Sequence, residues 1–301
     1  MFSLDSARTP ALFFLFVSLA ANCAPPTDLE VGTSERAIIG GSPVVEGEHP
    51  AAGFLWIMAD FDGSLFPLNG CSATLIAADV VLTAAHCVVD FPGFPPAAGF
   101  VFTNRPDAID AFRALVTPIE LQPGSYASRG HVAHPDFSIF DMPPNGLDRT
   151  DDIALVFLDE PVTDITPAVL PEGSDLPALA ADTEVSIVGY GATSADDEAP
   201  IGLARGIFLK FGGETRLTEV GSHEIRVGRT SPDDPLIPQK CNGDSGGPSF
   251  VERPDLPPFV VGVTSRPYDQ VENCNSGGVD IRVDAYLEWI TAEMDAACAE
   301  G

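Results

Sequence analysis

From Ile38 onward the chain alternates short apolar runs with turn-rich breaks. Phe54–Met58, Ala73–Ile76, Val80–Thr83, Ile153–Leu158, Val185–Val188, Phe259–Val263 and Val279–Val283 are of strand length and rich in branched and aromatic residues, which predicts β-strands. Pro- and Gly-rich loops separate them, notably Phe91–Gly99 and Met142–Gly146. The period changes only at the end of the chain. There Asp284 is placed to cap a helix whose one face carries Tyr286, Leu287, Ile290, Met294 and Ala297, over about 284–298. The pattern predicts an all-β protein closed by a C-terminal helix, and 28 Gly plus 28 Pro suit many short strands better than long helices.

The first residues follow a different pattern. Arg8 precedes the apolar run Ala11–Ala21, after which the sequence turns polar. As a helix this run would rise only about 16 Å, too little for a bilayer core of about 30 Å. A basic start, an apolar centre and small residues at the end predict a secretory signal peptide over residues 1–20, with Ser18 and Ala20 at the two small-residue positions. Leu19–Cys23 also resembles a bacterial lipoprotein signal, which would make the leader 1–22 and lipidate Cys23; Asn22 departs from the small residue such signals carry there. Residues 21–37 read as a linker or pro-segment. The protein is thus expected to be secreted, or anchored at the cell envelope through Cys23, with no other membrane contact.

Charge narrows the partners. Among 301 residues, 44 acidic side chains face 15 basic ones, a net charge of −29. Such a surface repels phosphate backbones and anionic headgroups, so nucleic-acid binding is not expected. The cysteines, Cys23, Cys71, Cys87, Cys241, Cys274 and Cys298, suit an oxidising compartment. Their spacing matches no zinc site, and neither a metal nor another cofactor is expected.

The densest chemical signal is Cys241-Asn-Gly-Asp-Ser-Gly-Gly-Pro248. A serine among glycines lets a backbone approach closely and leaves N–H groups free beside an exposed hydroxyl. Gly243-x-Ser245-x-Gly247 also fits the nucleophile elbow of α/β-hydrolases, but that fold needs its histidine after the serine and the histidines here end at His223. Upstream, Thr83-Ala-Ala-His86-Cys87 follows an apolar run, and Asp152-Ile-Ala-Leu155 opens another. The order histidine, aspartate, serine is the chymotrypsin order.

With Ile38-Ile-Gly-Gly41 and Val188-Gly-Tyr-Gly191, these motifs make the sequence from residue 38 to the end resemble the chymotrypsin/trypsin family of secreted serine endopeptidases, as a bacterial-type member given its leader. The resemblance implies two six-stranded antiparallel β-barrels, one over about 50–160 and one over about 165–283, within a protease domain 38–301. It implies that Ser245 is the nucleophile, His86 the base, Asp152 its orienting acid, and the N–H groups of Gly243 and Ser245 the oxyanion hole. It implies the disulfides Cys71–Cys87 and Cys241–Cys274, leaving Cys23 and Cys298 to bridge each other or to stand apart. It implies polypeptide substrates and activation by another protease that cuts before Ile38, whose new ammonium then pairs with Asp244. His49, His131, His134 and His223 match no role and read as structural or surface residues.

The specificity pocket departs from the family. Gln239 stands where an aspartate selects Arg or Lys; Lys240 follows it, and Asp280 replaces a tyrosine near the pocket floor beyond Gly278. The substrate-binding strand reads Ser265-Arg266-Pro267, and Pro267 has no N–H to offer a substrate backbone. Facing the pocket, Lys240 and Arg266 would favour Glu or Asp; paired with Asp280, Lys240 would leave a neutral pocket for mid-sized residues; reaching the pocket itself, Asp280 would receive Arg. The activation segment reads Glu35-Arg36-Ala37-Ile38, so the required cut follows Ala37. A protease-shaped binding protein with weak turnover is the alternative function.

Overall fold

A computed structural model describes residues 38–112, 121–172, 178–191, 208–231, 237–271 and 273–300. The leader, Cys23, the linker and the bond after Ala37 lie outside the described residues.

The first barrel is built from β2 (Ala52–Phe61), β3 (Ser64–Ala77), β4 (Val80–Thr83), β5 (Gly99–Thr103), β6 (Ser125–Ala133) and β7 (Ala154–Leu158), following the short β1 (Ser42–Pro43). It closes in the order β2-β3-β4-β7-β6-β5, and every pairing is antiparallel. The near-continuous burial of β2 follows from the two-residue period of a strand. Leu55 points into the barrel, whereas Phe54, Trp56 and Met58 point outward into an aromatic cluster with Tyr190 and Phe208.

The second barrel comprises β8 (Glu184–Gly189), β9 (Phe211–Val220), β10 (Glu224–Val227), β11 (Pro248–Arg253), β12 (Leu256–Asp269) and β13 (Asn273–Arg282). These strands run β9-β10-β13-β12-β11-β8, and β8 pairs again with β9 to close the ring, while β1 adds to the outside of β9. Val185, Ile187, Leu217, Ile225 and Val261 fill it, together with Ile38. Between the barrels one apolar cluster is continuous, joining Leu82, Leu155 and Val188 to Phe250, Val263 and Ile281. All the predicted runs fall within or abut strands, and β1, β5, β6, β9, β10 and β11 are additional.

The C-terminal helix α1 (Leu287–Glu300) packs on this junction through buried Ile290, with Leu287, Met294 and Ala297 partly covered. Its start differs from expectation. A 3₁₀ turn, Val283–Tyr286, precedes it, and Asp284 receives the Arg282 guanidinium (Nη2 to Oδ2, 2.6 Å) instead of capping the helix. A neighbouring cation satisfies the carboxylate before the helix N–H groups can.

Candidate active site

The pairing of β4 with β7 sets the first two site residues side by side. Thr83 lies opposite Ala154 at one end of the ladder, so the residues just beyond that end, His86 and Asp152, come together. His86 sits in a 3₁₀ turn (Ala85–Cys87) that the Cys71–Cys87 disulfide ties back to β3. Its backbone N–H donates to Asp152 Oδ1 at 2.9 Å, and its ring Nδ1 meets Oδ2 at 2.7 Å. A carboxylate only accepts, so Nδ1 carries the proton and Nε2 is left as the free base. Asp152 is fully buried, and Ser265 Oγ also donates to its Oδ2 at 2.6 Å.

The electrostatics reinforce this arrangement. Burial alone would raise the Asp152 carboxyl, but the facing imidazole and the hydrogen bonds from His86 and Ser265 outweigh it and hold the group below the usual range. Burial likewise works to lower His86, and Asp152 overcomes it, so the imidazole is raised. With its side chain 17% exposed, His86 opens toward solvent while its acid does not.

The loop bearing Ser245 is pressed against the segment that leads into His86. Gly246 adopts φ +76°, and a Cβ there would lie 2.1 Å from Thr83 Oγ1 and 2.4 Å from the Ser72 carbonyl, so only glycine lets the loop come this close. Gly246 N–H donates to Thr264 O, and Ser72 Oγ donates to Gly243 O at 3.2 Å. The Cys241–Cys274 disulfide fixes the start of the loop to β13. Asp244, beside the serine, is fully buried, and its carboxylate accepts from the N–H groups of Cys241 (2.8 Å) and Gly191 (2.9 Å). Burial dominates, and its pKa is pushed up to about 7. A Cβ on Gly189 would stand 2.0 Å from Asp244 Oδ1, which accounts for the glycine there.

The family model for trypsin matches residues 38–290. The chain belongs to the trypsin family. Among similar proteins, the suppressor of tumorigenicity 14 protein homolog of Bos taurus is 27% identical over 87% of this chain and 28% of its own length. Transmembrane protease serine 11C of Mus musculus is 26% identical over 85% of this chain and 53% of its own length. The chain therefore spans well under two thirds of either relative.

Beside the serine lies a cavity of about 60 Å³, lined by Ser245, Lys240, Ser265, Arg266, Pro267 and Gly278 among others. A larger hollow of about 500 Å³, between Thr166–Leu170 and Arg253–Phe259, holds no nucleophile or histidine, so volume does not identify the site. Gln239 and Asp280 stand behind the cavity wall. The Gln239 amide is spent on Arg229 N–H (3.1 Å) and Lys240 O (2.9 Å). Lys240 Nζ pairs with Asp280 Oδ2 at 2.7 Å and donates to Ser249 Oγ at 3.0 Å. Burial pulls the lysine below its usual range, and Asp280 opposes that shift. The Arg266 guanidinium pairs with a second buried acid, Glu224, with two contacts of 2.9 Å. Both cations are thus neutralised internally.

Sequence reasoning missed Glu224 altogether, because a glutamate in the short β10 carries no motif. It also read Ser265 as a pocket residue only. Two groups of ligand-type side chains occur among the described residues. In Cys71–His86–Cys87 both sulfurs are in a disulfide, and in His134–Asp136–Asp151 the Arg149 guanidinium already engages Asp151 at 2.9 Å. Neither donor set fits a cation. No helix among the described residues is long and apolar enough to cross a membrane.

Proposed function

We propose that this chain is a secreted serine endopeptidase that hydrolyses peptide bonds through an acyl-enzyme. The observation that carries the reading is the hydrogen-bonded line Ser265–Asp152–His86, ending beside the loop of Ser245. In this reading Ser245 attacks the scissile carbonyl, His86 Nε2 takes its proton and returns it to the leaving amine, and Asp152 holds the tautomer and stabilises the imidazolium. The N–H groups of Gly243 and Ser245 receive the oxyanion, each worth about 3–4 kcal/mol of barrier. No step requires a cofactor.

Activation follows from Asp244. In the uncut chain its buried carboxylate accepts from two backbone N–H groups and is costly to ionise. A cut before Ile38 by an activating protease would supply an ammonium to pair with it and order the oxyanion hole. The cleavage site, the leader 1–20 or 1–22 and lipidation at Cys23 belong to this proposal; so does a bacterial-type origin, although the two relatives described are animal proteins. The pocket takes small to mid-sized neutral side chains, since Lys240 and Arg266 are both paired.

A fluorophosphonate probe tests the reading. Chain beginning at Ile38 should be labelled, Ser245→Ala should not, and uncut chain should react far more slowly. Unlabelled, folded Ile38-start protein would instead support the second reading, a protease-shaped binding protein, which the missing N–H of Pro267 favours.

A further inference from the structure

The connection ending at Asp152 has no regular structure between Met142 and Ile153, yet its last residues are held one after another. Asp151 adopts φ +52°, in the left-handed region that a residue with a side chain keeps only under restraint. That turn decides where the next side chain, Asp152, points. Its own carboxylate is held by Tyr286 Oη and by Arg149 Nε, each donating at 2.9 Å to Oδ1.

The residues before it are held from the other barrel. Glu224, the first residue of β10, is fully buried. Its Oε2 accepts from Asp148 N–H, and its Oε1 from Thr150 Oγ, both at 2.7 Å. Arg266 closes the opposite side with a two-point ion pair, Nη1 to Oε1 and Nη2 to Oε2, and Nη2 also donates to Gly146 O at 2.9 Å. Arg266 adjoins Ser265, the residue that bonds Asp152 directly. Strand β12 thus reaches the acid by two routes, one through Ser265 and one through Arg266 and Glu224.

Stability does not account for such a pair, because apolar side chains of similar size commonly do as well in a buried site. What an apolar pair lacks is a carboxylate able to grip an N–H and a hydroxyl with fixed geometry. We propose that Glu224 is a positioning residue: locked by Arg266, it grips Asp148 and Thr150 and so fixes the turn that aims Asp152 at His86. This rests on the reading of His86, Asp152 and Ser245 as the catalytic triad.

The test uses the double variant Glu224→Leu/Arg266→Met, which removes both buried charges together, and Thr150→Val against Thr150→Ser as a milder pair. Folding is checked by a cooperative melt. On a short peptide substrate, kcat of the folded double variant should fall between about tenfold and a hundredfold, the size of effect that misplacing a catalytic group by about 1 Å produces. Thr150→Ser should keep wild-type rates and Thr150→Val should not. Independently of turnover, NMR titration of His86 in a Ser245→Ala background should give a lower pKa once Asp152 is no longer held against it. A folded double variant with wild-type kcat and an unchanged His86 titration overturns the proposal; should the double variant not fold, Thr150→Val with an unchanged titration does so. If wild-type protein proves inert to peptides and to fluorophosphonate, the protease reading fails, and the His86 titration still decides the role of Glu224.

Discussion

Asp152 and Asp244 are both fully buried, both lie in loops at the junction of the barrels, and both accept two or three hydrogen bonds, yet their carboxyl groups shift in opposite directions. Burial raises both. At Asp152 the imidazole of His86 stands 2.7 Å away and reverses the sign. At Asp244 the donors are backbone N–H groups, the charge of Lys240 is a lesser influence that Asp280 opposes, and burial wins, leaving the pKa at about 7. A buried carboxylate is stabilised as an anion by a partner able to hold positive charge, and hydrogen bonds alone do not suffice here. One acid is completed within the described fold; under the proposed activation, the other would receive the charge of the new ammonium.

Removing the completed acid should cost most. Asp152→Asn keeps the shape but reverses the donor pattern toward His86 Nδ1, and kcat of the activated enzyme should drop by about 10⁴-fold, measured on a peptide substrate with active-site titration of the wild type. Asp244→Asn should act one step earlier. The activated form should lose about 10²- to 10³-fold in kcat as the oxyanion donors lose their order, while the uncut chain should fold as well as before. Equal activity before and after cutting would remove the contrast between the two acids.

The contrast also predicts opposite pH slopes of stability. Asp152, lowered in the fold, contributes stability present above the unfolded pKa of 3.8 and lost as pH falls through its folded value. Asp244, raised in the fold, favours the folded state below 3.8, and that contribution is lost as pH rises to about 7. Denaturant unfolding of the uncut chain should therefore show a decline between pH 4 and 7 that Asp244→Asn abolishes, and cutting before Ile38 should abolish it too. A separate slope at higher pH comes from Lys210, buried against the carbonyls of Glu48 and His49 with its pKa lowered by burial to about 7. The unfolded chain binds more protons between that value and 10.5, so stability should rise with pH across this window and flatten in Lys210→Met.

The sequence revealed these elements unevenly. Strands with consecutive apolar residues, such as Val80–Thr83 and Ala154–Leu158, were legible because both their faces are covered. Ser125–Ala133 and Phe211–Val220 were not, since serines, glycines and charges alternate along them and ladder pairing, more than apolar content, makes them strands. The site motifs could be read one by one because each is local. The pocket was legible only in part: the pairing of Lys240 with Asp280, 40 residues on, was one of the readings the sequence left open, whereas Glu224, 42 residues before Arg266, carries no motif that marks it as a partner. A side chain's charge is visible in a sequence, whereas its neutralisation is a tertiary fact.

The apolar cluster shared by the two barrels has a further consequence. Leu82 and Leu155 from one ring pack with Phe250, Val263 and Ile281 from the other, and Ile290 of α1 covers the same seam. The second ring has its own interior cluster, but part of its core belongs to this shared seam, so separating the rings would wet side chains that pack both. Heat should therefore melt the molecule in a single calorimetric peak, with van't Hoff and calorimetric enthalpies in agreement. A nick in the connection between the rings should leave two fragments that remain together until they unfold together.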